Sequence, residues 1–173
     1  MVLLLVDMTG NAEGWEWGVS NRLLSVLAKR GVALANGQAI TIAEAGELTA
    51  HAEALAAASC VVLVGRGDDL DVWRWLTANV DGPKLAVARQ WGTHDGELAQ
   101  AVLKAPGDWA PIAVAPELPV TPREGALFLL KFLTELHLHS DGRTTGRMAW
   151  FASTKAHELL KRRRMTARFG LRT

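Results

Sequence analysis

The chain has 173 residues, 49% of them apolar and 21% charged, with a net charge of +1. This is the balance of an ordinary globular protein, and the length predicts one domain over residues 1–173. A domain of this size buries roughly 70% of its unfolded surface, so no disulfide or metal is needed to hold it together. The single cysteine, Cys60, excludes an internal disulfide and indicates a reducing compartment, so we expect a cytoplasmic protein.

The first six residues are apolar, but their run is short. It leads into Asp7 with no basic leader and no cleavage-site pattern, which predicts a first strand and not a signal peptide. No apolar run reaches the ~20 residues that a membrane helix needs. We therefore expect no membrane segment.

Strand and helix patterns alternate through the first two thirds of the chain. Continuous apolar runs predict strands that are covered on both faces, and apolar residues three and four apart predict helices. The predicted strands are at 2–6, 39–42, 61–64, 85–88 and 112–115, and the predicted helices are at 20–30, 43–59, 70–79 and 97–104. The first helix is expected to begin only after Trp15 and Trp17. An earlier start of the second strand at 32–35 stays open.

Two helices in a row follow a proline-punctuated connection. Thr121 is predicted to cap the first of them, with Pro122 at the first helical position and Glu124 two residues later. This helix is expected to end near His139, a second helix to span about 145–164, and the tail at 167–171 to add a sixth strand. The whole pattern predicts an α/β fold with three layers and a doubly wound, mostly parallel sheet. The two consecutive helices and the sixth strand are not typical of a simple flavodoxin-like fold.

The candidate functional residues come directly after two of the predicted strands. Gly65-Arg66-Gly67-Asp68-Asp69 follows one, and Arg89-Gln90-Trp91 follows the next. Ligands and catalytic groups of open α/β sheets lie at the carboxyl ends of strands, so these residues are expected to line a cleft. Plainer interpretations stay open, since an aspartate at 68 or 69 can cap the following helix and Trp91 can cover the sheet edge. The candidate cleft residues are Arg66, Asp68, Arg89, Gln90 and Trp91.

The order of these segments resembles a CHAT domain, the caspase-like bacterial peptidase domain. The likeness spans roughly the whole chain, through residues 37–69, 85–103, 111–136 and 143–171. The resemblance implies a caspase–haemoglobinase-like fold. It also implies that the family's Gly-His-Gly corresponds to Gly65-Arg66-Gly67, and that the family's nucleophilic cysteine corresponds to Arg89 or Gln90.

Those replacements remove the chemistry of a cysteine protease. Such an enzyme needs a thiolate and a neighbouring base. Arginine stays protonated at neutral pH, and glutamine is neither nucleophile nor base. The resemblance therefore implies a pseudoprotease with no catalytic residue, which binds a protein or peptide partner in trans as a scaffold or regulator.

Two other functions stay open at this stage. Thr9, Gly10 and Asn11 follow the first strand and resemble the phosphate loop of flavodoxins, which implies FMN as a cofactor with Trp15 or Trp91 stacked on the flavin. Against this, the charge of Asp7 would repel a phosphate. An atypical hydrolase would instead need Cys60 or His94, although Cys60 is expected to be a buried structural residue at the far end of its strand. No metal site is expected.

The carboxyl-terminal part of the chain is strongly basic. Residues 143–173 hold nine Lys or Arg and one acid, Glu158, so this segment carries +8 and the remainder of the chain −7. Basic residues at a helix end also complement the helix dipole. The charge leaves nucleic acid open as a partner, although no aromatic interleaving or nucleic-acid motif supports it. An acidic protein partner, or the acidic body of a second copy in a homo-oligomer, stays open.

Overall fold

A single mostly parallel sheet organises the chain. The computed structural model describes residues 1–8, 15–34, 40–66, 70–82, 84–91, 97–105, 109–118, 120–139 and 144–173, with backbone alone at 15–21, 34, 66 and 89–91. In these ranges the strands are β1 (Val2–Asp7), β2 (Ala33–Leu34), β3 (Ile40–Thr41), β4 (Cys60–Arg66), β5 (Leu85–Trp91), β6 (Ala113–Pro116) and β7 (Phe169–Arg172).

The strand order is β2-β1-β4-β5-β6-β7, and β3 pairs with β1 on the same side as β2. Strands β1 to β6 are parallel, whereas β7 is antiparallel to β6. The chain leaves β1 toward β2 and β3 on one side and then crosses back to β4 on the other. The sheet therefore changes winding direction between β1 and β4, which is the switch point where ligands of such folds bind.

Helices cover both faces of the sheet. They are α1 (Trp15–Lys29), a 3₁₀ helix (Ala45–His51), α2 (Ala52–Ala57), α3 (Leu70–Asn79), α4 (Glu97–Leu103), α5 (Pro122–His139) and α6 (Gly146–Arg162). Alternate residues of β1 divide between two cores: Leu3 and Leu5 pack with α1, α5 and α6, while Leu4 and Val6 pack with the 3₁₀ helix and α2 to α4. The predicted three-layer, mostly parallel α/β architecture is confirmed.

The start of the long helix α5 also follows the predicted pattern. The backbone N–H of Glu124 donates to the Thr121 hydroxyl at 3.3 Å, and the Glu124 carboxylate accepts from the backbone N–H of Thr121 at 3.1 Å. This reciprocal pair is a capping box, which satisfies two donors that the first turn leaves open. The helix then runs to His139, as predicted.

Two predicted helices are corrected by the structure. Helix α1 begins at Trp15 rather than at residue 20, because tryptophan costs a helix only a few tenths of a kcal/mol and does not prevent its start. The segment predicted as one helix at 43–59 is instead a 3₁₀ helix followed by the short α2. Gly46 in its first turn disfavours a regular α-helix, and Glu44 at its start makes no capping hydrogen bond with its side chain.

The second predicted strand is also divided. Two short pieces, β2 and β3, pair with opposite ends of β1, and residues 35–39 between them lie outside the described residues. The tail strand is present as β7, and its antiparallel pairing with β6 places it at an edge of the sheet.

Candidate functional site

The carboxyl ends of β4 and β5 lie side by side. In the parallel register Val64 pairs with Arg89, Gly65 with Gln90, and Arg66 with Trp91. Neighbouring strands are about 4.8 Å apart, so the sheet brings these sequence-distant residues to one edge. Four of the five candidate cleft residues, Arg66, Arg89, Gln90 and Trp91, thus belong to adjacent strands.

These residues end their strands rather than follow them. The sequence predicts strands at 61–64 and 85–88, but β4 continues to Arg66 and β5 to Trp91. Each strand supplies the hydrogen-bonding partner that holds the other extended, although the local sequence there is polar. Asp68 of the candidate cleft lies outside the described residues, as do Thr9, Gly10 and Asn11 of the alternative phosphate loop and His94 of the alternative hydrolase.

Asp7 is a functional candidate that the sequence reasoning considered only as an obstacle to phosphate. It ends β1, is fully buried, and pairs in the register with Val64, which in turn pairs with Arg89. One row across β1, β4 and β5 therefore holds an acid and an arginine on either side of a valine. The sequence signal for this position is an acidic residue that ends an otherwise apolar run.

The backbone around Asp7 is firmly held. Its carbonyl accepts from the N–H of Ile42 at 3.0 Å, and the N–H of the next residue, Met8, donates to the carbonyl of Val64 at 2.8 Å. The sheet ladder thus continues past the last residue of β1. These bonds hold the end of β1 to the neighbouring chain on both sides.

Cys60 lies at the opposite end of the sheet from these residues. It begins β4, pairs with Leu3 and Leu85, and is fully buried. Arg66 lies six positions further along the same strand, roughly 20 Å away. Burial raises the pKa of the Cys60 thiol far above its ordinary value, so the reactive thiolate does not form near neutral pH. The prediction of a buried structural cysteine is confirmed.

The tryptophan side chains that the structure describes differ in burial. Trp73 is buried and meets Trp109 edge to face, with ring centroids 5.0 Å apart, while Trp75 two residues later is half-buried. The two tryptophans of α3 therefore differ in exposure. Trp150 on α6 is 64% exposed, and the sequence reasoning did not single it out.

Among the described residues, no group of three His, Cys, Asp or Glu is placed to hold a metal ion. No helix in the described ranges has the length and apolarity to cross a bilayer.

Comparison with known proteins does not assign the chain to a family. No protein-family model matches it, and no curated protein shows a significant match.

Proposed function

We propose that this protein is a non-catalytic, caspase-like domain of the CHAT type that binds a protein or peptide partner in trans. The edge formed by β4 and β5 is the binding cleft, and the partner passes across it uncut. The proposal includes a cytoplasmic location in a bacterial cell and a role as a scaffold or regulator.

The observation that carries this proposal is the register between β4 and β5. Arg66 stands where the resemblance implies a catalytic histidine, and it pairs with Trp91. Arg89 and Gln90, the two positions that the resemblance allows for the nucleophile, directly precede Trp91 in the same strand. Arginine does not accept a proton at neutral pH, and a glutamine amide does not attack a peptide bond. Arginine and tryptophan are, however, the residues that most often anchor protein interfaces.

The last three elements of the chain, α5, α6 and β7, favour the caspase-like proposal over a flavodoxin-like fold. Helices α5 and α6 follow one another without a strand between them in the described residues, and β7 then adds an antiparallel edge to the sheet. A simple flavodoxin-like sheet ends without these elements. The buried acid at Asp7 also disfavours a flavin phosphate beside the end of β1.

The position of Cys60 supports the proposal that the domain does not cleave its partner. It is the only cysteine of the chain, and it is buried at the wrong end of β4. A thiol protease would need that sulfur at the strand edge beside a base. An atypical hydrolase built on Cys60 is therefore disfavoured.

A peptide-display screen with immobilised protein tests the proposal. Selected peptides are measured against wild type, an Arg66→Ala/Trp91→Ala variant and an Arg74→Ala control, since Arg74 is an exposed residue of α3. We expect the double variant to lose at least about tenfold in affinity, or ~1.4 kcal/mol, while the control keeps it. Mass spectrometry should recover the peptide intact. Cleaved peptide, equal binding by all three proteins, or a yellow protein with flavin absorbance would contradict the proposal.

A further inference from the structure

A groove runs along the outer surface of the helical layer formed by α1, α5 and α6. A cavity of about 320 Å³ lies between α1 and α5, and a second of about 460 Å³ lies between α5, α6 and the end of α1. Leu130 of α5 lines both cavities, so they lie next to each other along this helix. This groove is separate from the strand edge discussed above.

Helix α5 is the floor of the groove. Arg123, Leu127, Leu130 and Thr134 line it at spacings of three and four residues, which places them on one face of the helix. The opposite face, which includes Phe128 and Phe132, packs into the core. From Arg123 to Thr134 the floor is about 16 Å long, which matches three turns of a guest helix.

The first cavity has apolar walls. Leu23 and Val26 of α1 face Leu127 and Leu130 of α5 across it. Of these four, Val26, Leu127 and Leu130 are only partly buried, so they leave apolar surface open to a guest. An apolar strip of this kind is what a helix with leucines three and four residues apart would cover.

The rim of the groove is basic. Seven cations line the two cavities, against one acid, Glu158. Lys131 pairs with Glu135, and Lys155 with Glu158. The other five have no side-chain hydrogen bond or ion pair to any residue that the structure describes: Arg22, Arg30, Arg123, Arg162 and Arg163.

The wall of the second cavity also contains a buried hydroxyl. Thr134 lines the second cavity and is 3% exposed, and its Oγ1 has no hydrogen-bond partner in the described part of the chain. Buried hydroxyls in native proteins are nearly always hydrogen-bonded.

We propose that this groove binds an acidic amphipathic helix of a partner protein. The apolar side of the guest covers Leu23, Val26, Leu127 and Leu130, and its carboxylates pair with the unpartnered arginines along both rims. The basic segment near the carboxyl terminus, which supplies Lys155, Arg162 and Arg163, thereby acquires a role as one wall of the groove.

The distribution of charge favours a helix over other anions. Unpartnered arginines occur along the whole groove, from Arg123 and Arg163 at one end to Arg30 at the other. A lipid with a single charged headgroup would compensate one end and leave the other uncompensated. Nucleic acid would leave the apolar strip between α1 and α5 uncovered, whereas a guest helix with leucines on one side and glutamates on both flanks matches both features.

A labelled peptide tests this inference by fluorescence polarisation. The probe is a designed helix of about four turns, ~14 residues, with leucine at three- and four-residue intervals and glutamate beside them. We expect it to bind wild type and to lose affinity roughly tenfold or more with Arg123→Glu/Arg163→Glu. A matched reversal on the other helical layer, Arg74→Glu/Lys104→Glu, changes the net charge equally at exposed positions and should leave binding intact. Circular dichroism confirms that each variant is folded.

Two further variants complete the test. Thr134→Val replaces a hydroxyl that solvent does not reach, keeps the shape of the wall, and should leave peptide binding unchanged. Arg66→Ala/Trp91→Ala should leave binding of this probe unchanged, so a failure of the proposed strand-edge function is distinguishable from a failure of the groove. The inference is overturned if the probe does not bind at low salt or binds the groove and control reversals equally. It is also overturned if anionic vesicles, duplex DNA or a second copy of the chain occupies the groove in place of the peptide.

Discussion

The imidazole of His157 joins α6 to the edge strand β7 through the backbone of Phe169. Nε2 of His157 accepts a hydrogen bond from the Phe169 N–H at 3.1 Å, while Nδ1 lies 2.9 Å from the carbonyl oxygen of Ser153. With Nδ1 protonated, both ring nitrogens are satisfied in the neutral imidazole. The Phe169 ring also stacks on Phe128 of α5, with ring centroids 3.8 Å apart. One histidine thus links two helices and a strand.

Replacing this histidine should loosen β7. We expect His157→Ala to lower the free energy of unfolding by about 1–3 kcal/mol, because the buried N–H of Phe169 loses its acceptor. Denaturant unfolding measures the loss, and amide exchange at Phe169 should speed up. His157→Gln keeps an acceptor oxygen and should recover part of the stability. An unchanged exchange rate at Phe169 in His157→Ala would contradict the link.

The capping box of α5 gives a second prediction. Thr121→Ala removes the hydroxyl that accepts from Glu124 and should lower the free energy of unfolding by about 1 kcal/mol. Thr121→Ser retains the hydroxyl and should stay within a few tenths of a kcal/mol of wild type. Urea unfolding of the three proteins gives the comparison. If the alanine and serine variants were equally stable, the cap would not contribute.

Glu124 makes stability depend on pH. Burial acts to raise the pKa of its carboxyl, but hydrogen bonds from Thr121 and from the backbone of Ala167 and Thr166 outweigh it, so the pKa is lowered in the folded state. The ionised form therefore stabilises the fold at pH values above the unfolded pKa of about 4.3. This contribution is lost as the pH falls through the folded pKa.

Unfolding of wild type and Glu124→Gln at a series of pH values tests this dependence. We expect wild type to be the more stable protein at pH 7 and its advantage to shrink in acid as the carboxylate is protonated. Because Glu124 is partly exposed, solvent screens the effect and the difference should be modest. A difference that stays constant down to the acid limit would show that ionisation of Glu124 does not matter.

Cys60 should be unreactive while the chain is folded. Its thiol is buried, and burial raises its pKa, so Ellman's reagent should label it slowly at neutral pH and rapidly in denaturant. Cys60→Ala should keep the peptide binding of wild type. Rapid labelling of the native protein would indicate an accessible thiol and revive the hydrolase alternative.

The sequence predicts the architecture well because the strands are buried on both faces. Runs such as Val61 to Val64 are short, continuous and rich in valine, which is typical of a strand covered on both faces. The capping box at Thr121 is equally local, so its residues are visible in one stretch of four. The 3₁₀ helix at Ala45–His51 is harder to predict, because burial of Leu48 and the placement of Gly46 decide its form.

The strand edge and the basic groove also differ in how far the sequence predicts them. Arg66 and Trp91 can be identified because parallel strands end at one edge, so a local pattern implies a shared location. Their continuation as strand could not be predicted, since each depends on the other for pairing. The basic groove could not be predicted from the sequence, because its walls come from α1, α5 and α6, and α1 is far from the other two in the chain. The excess of positive charge in residues 143–173 was the one sequence feature that indicated it.

The most direct test of the strand-edge account is the indole N–H signal of Trp91 in a heteronuclear NMR spectrum, assigned with Trp91→Phe. A peptide selected by display is titrated into the protein, and Trp75, which lines a cavity at the amino ends of the strands, serves as the internal control. The account predicts that the Trp91 signal shifts in step with binding while Trp75 stays in place. A bound peptide that leaves Trp91 unmoved would contradict it.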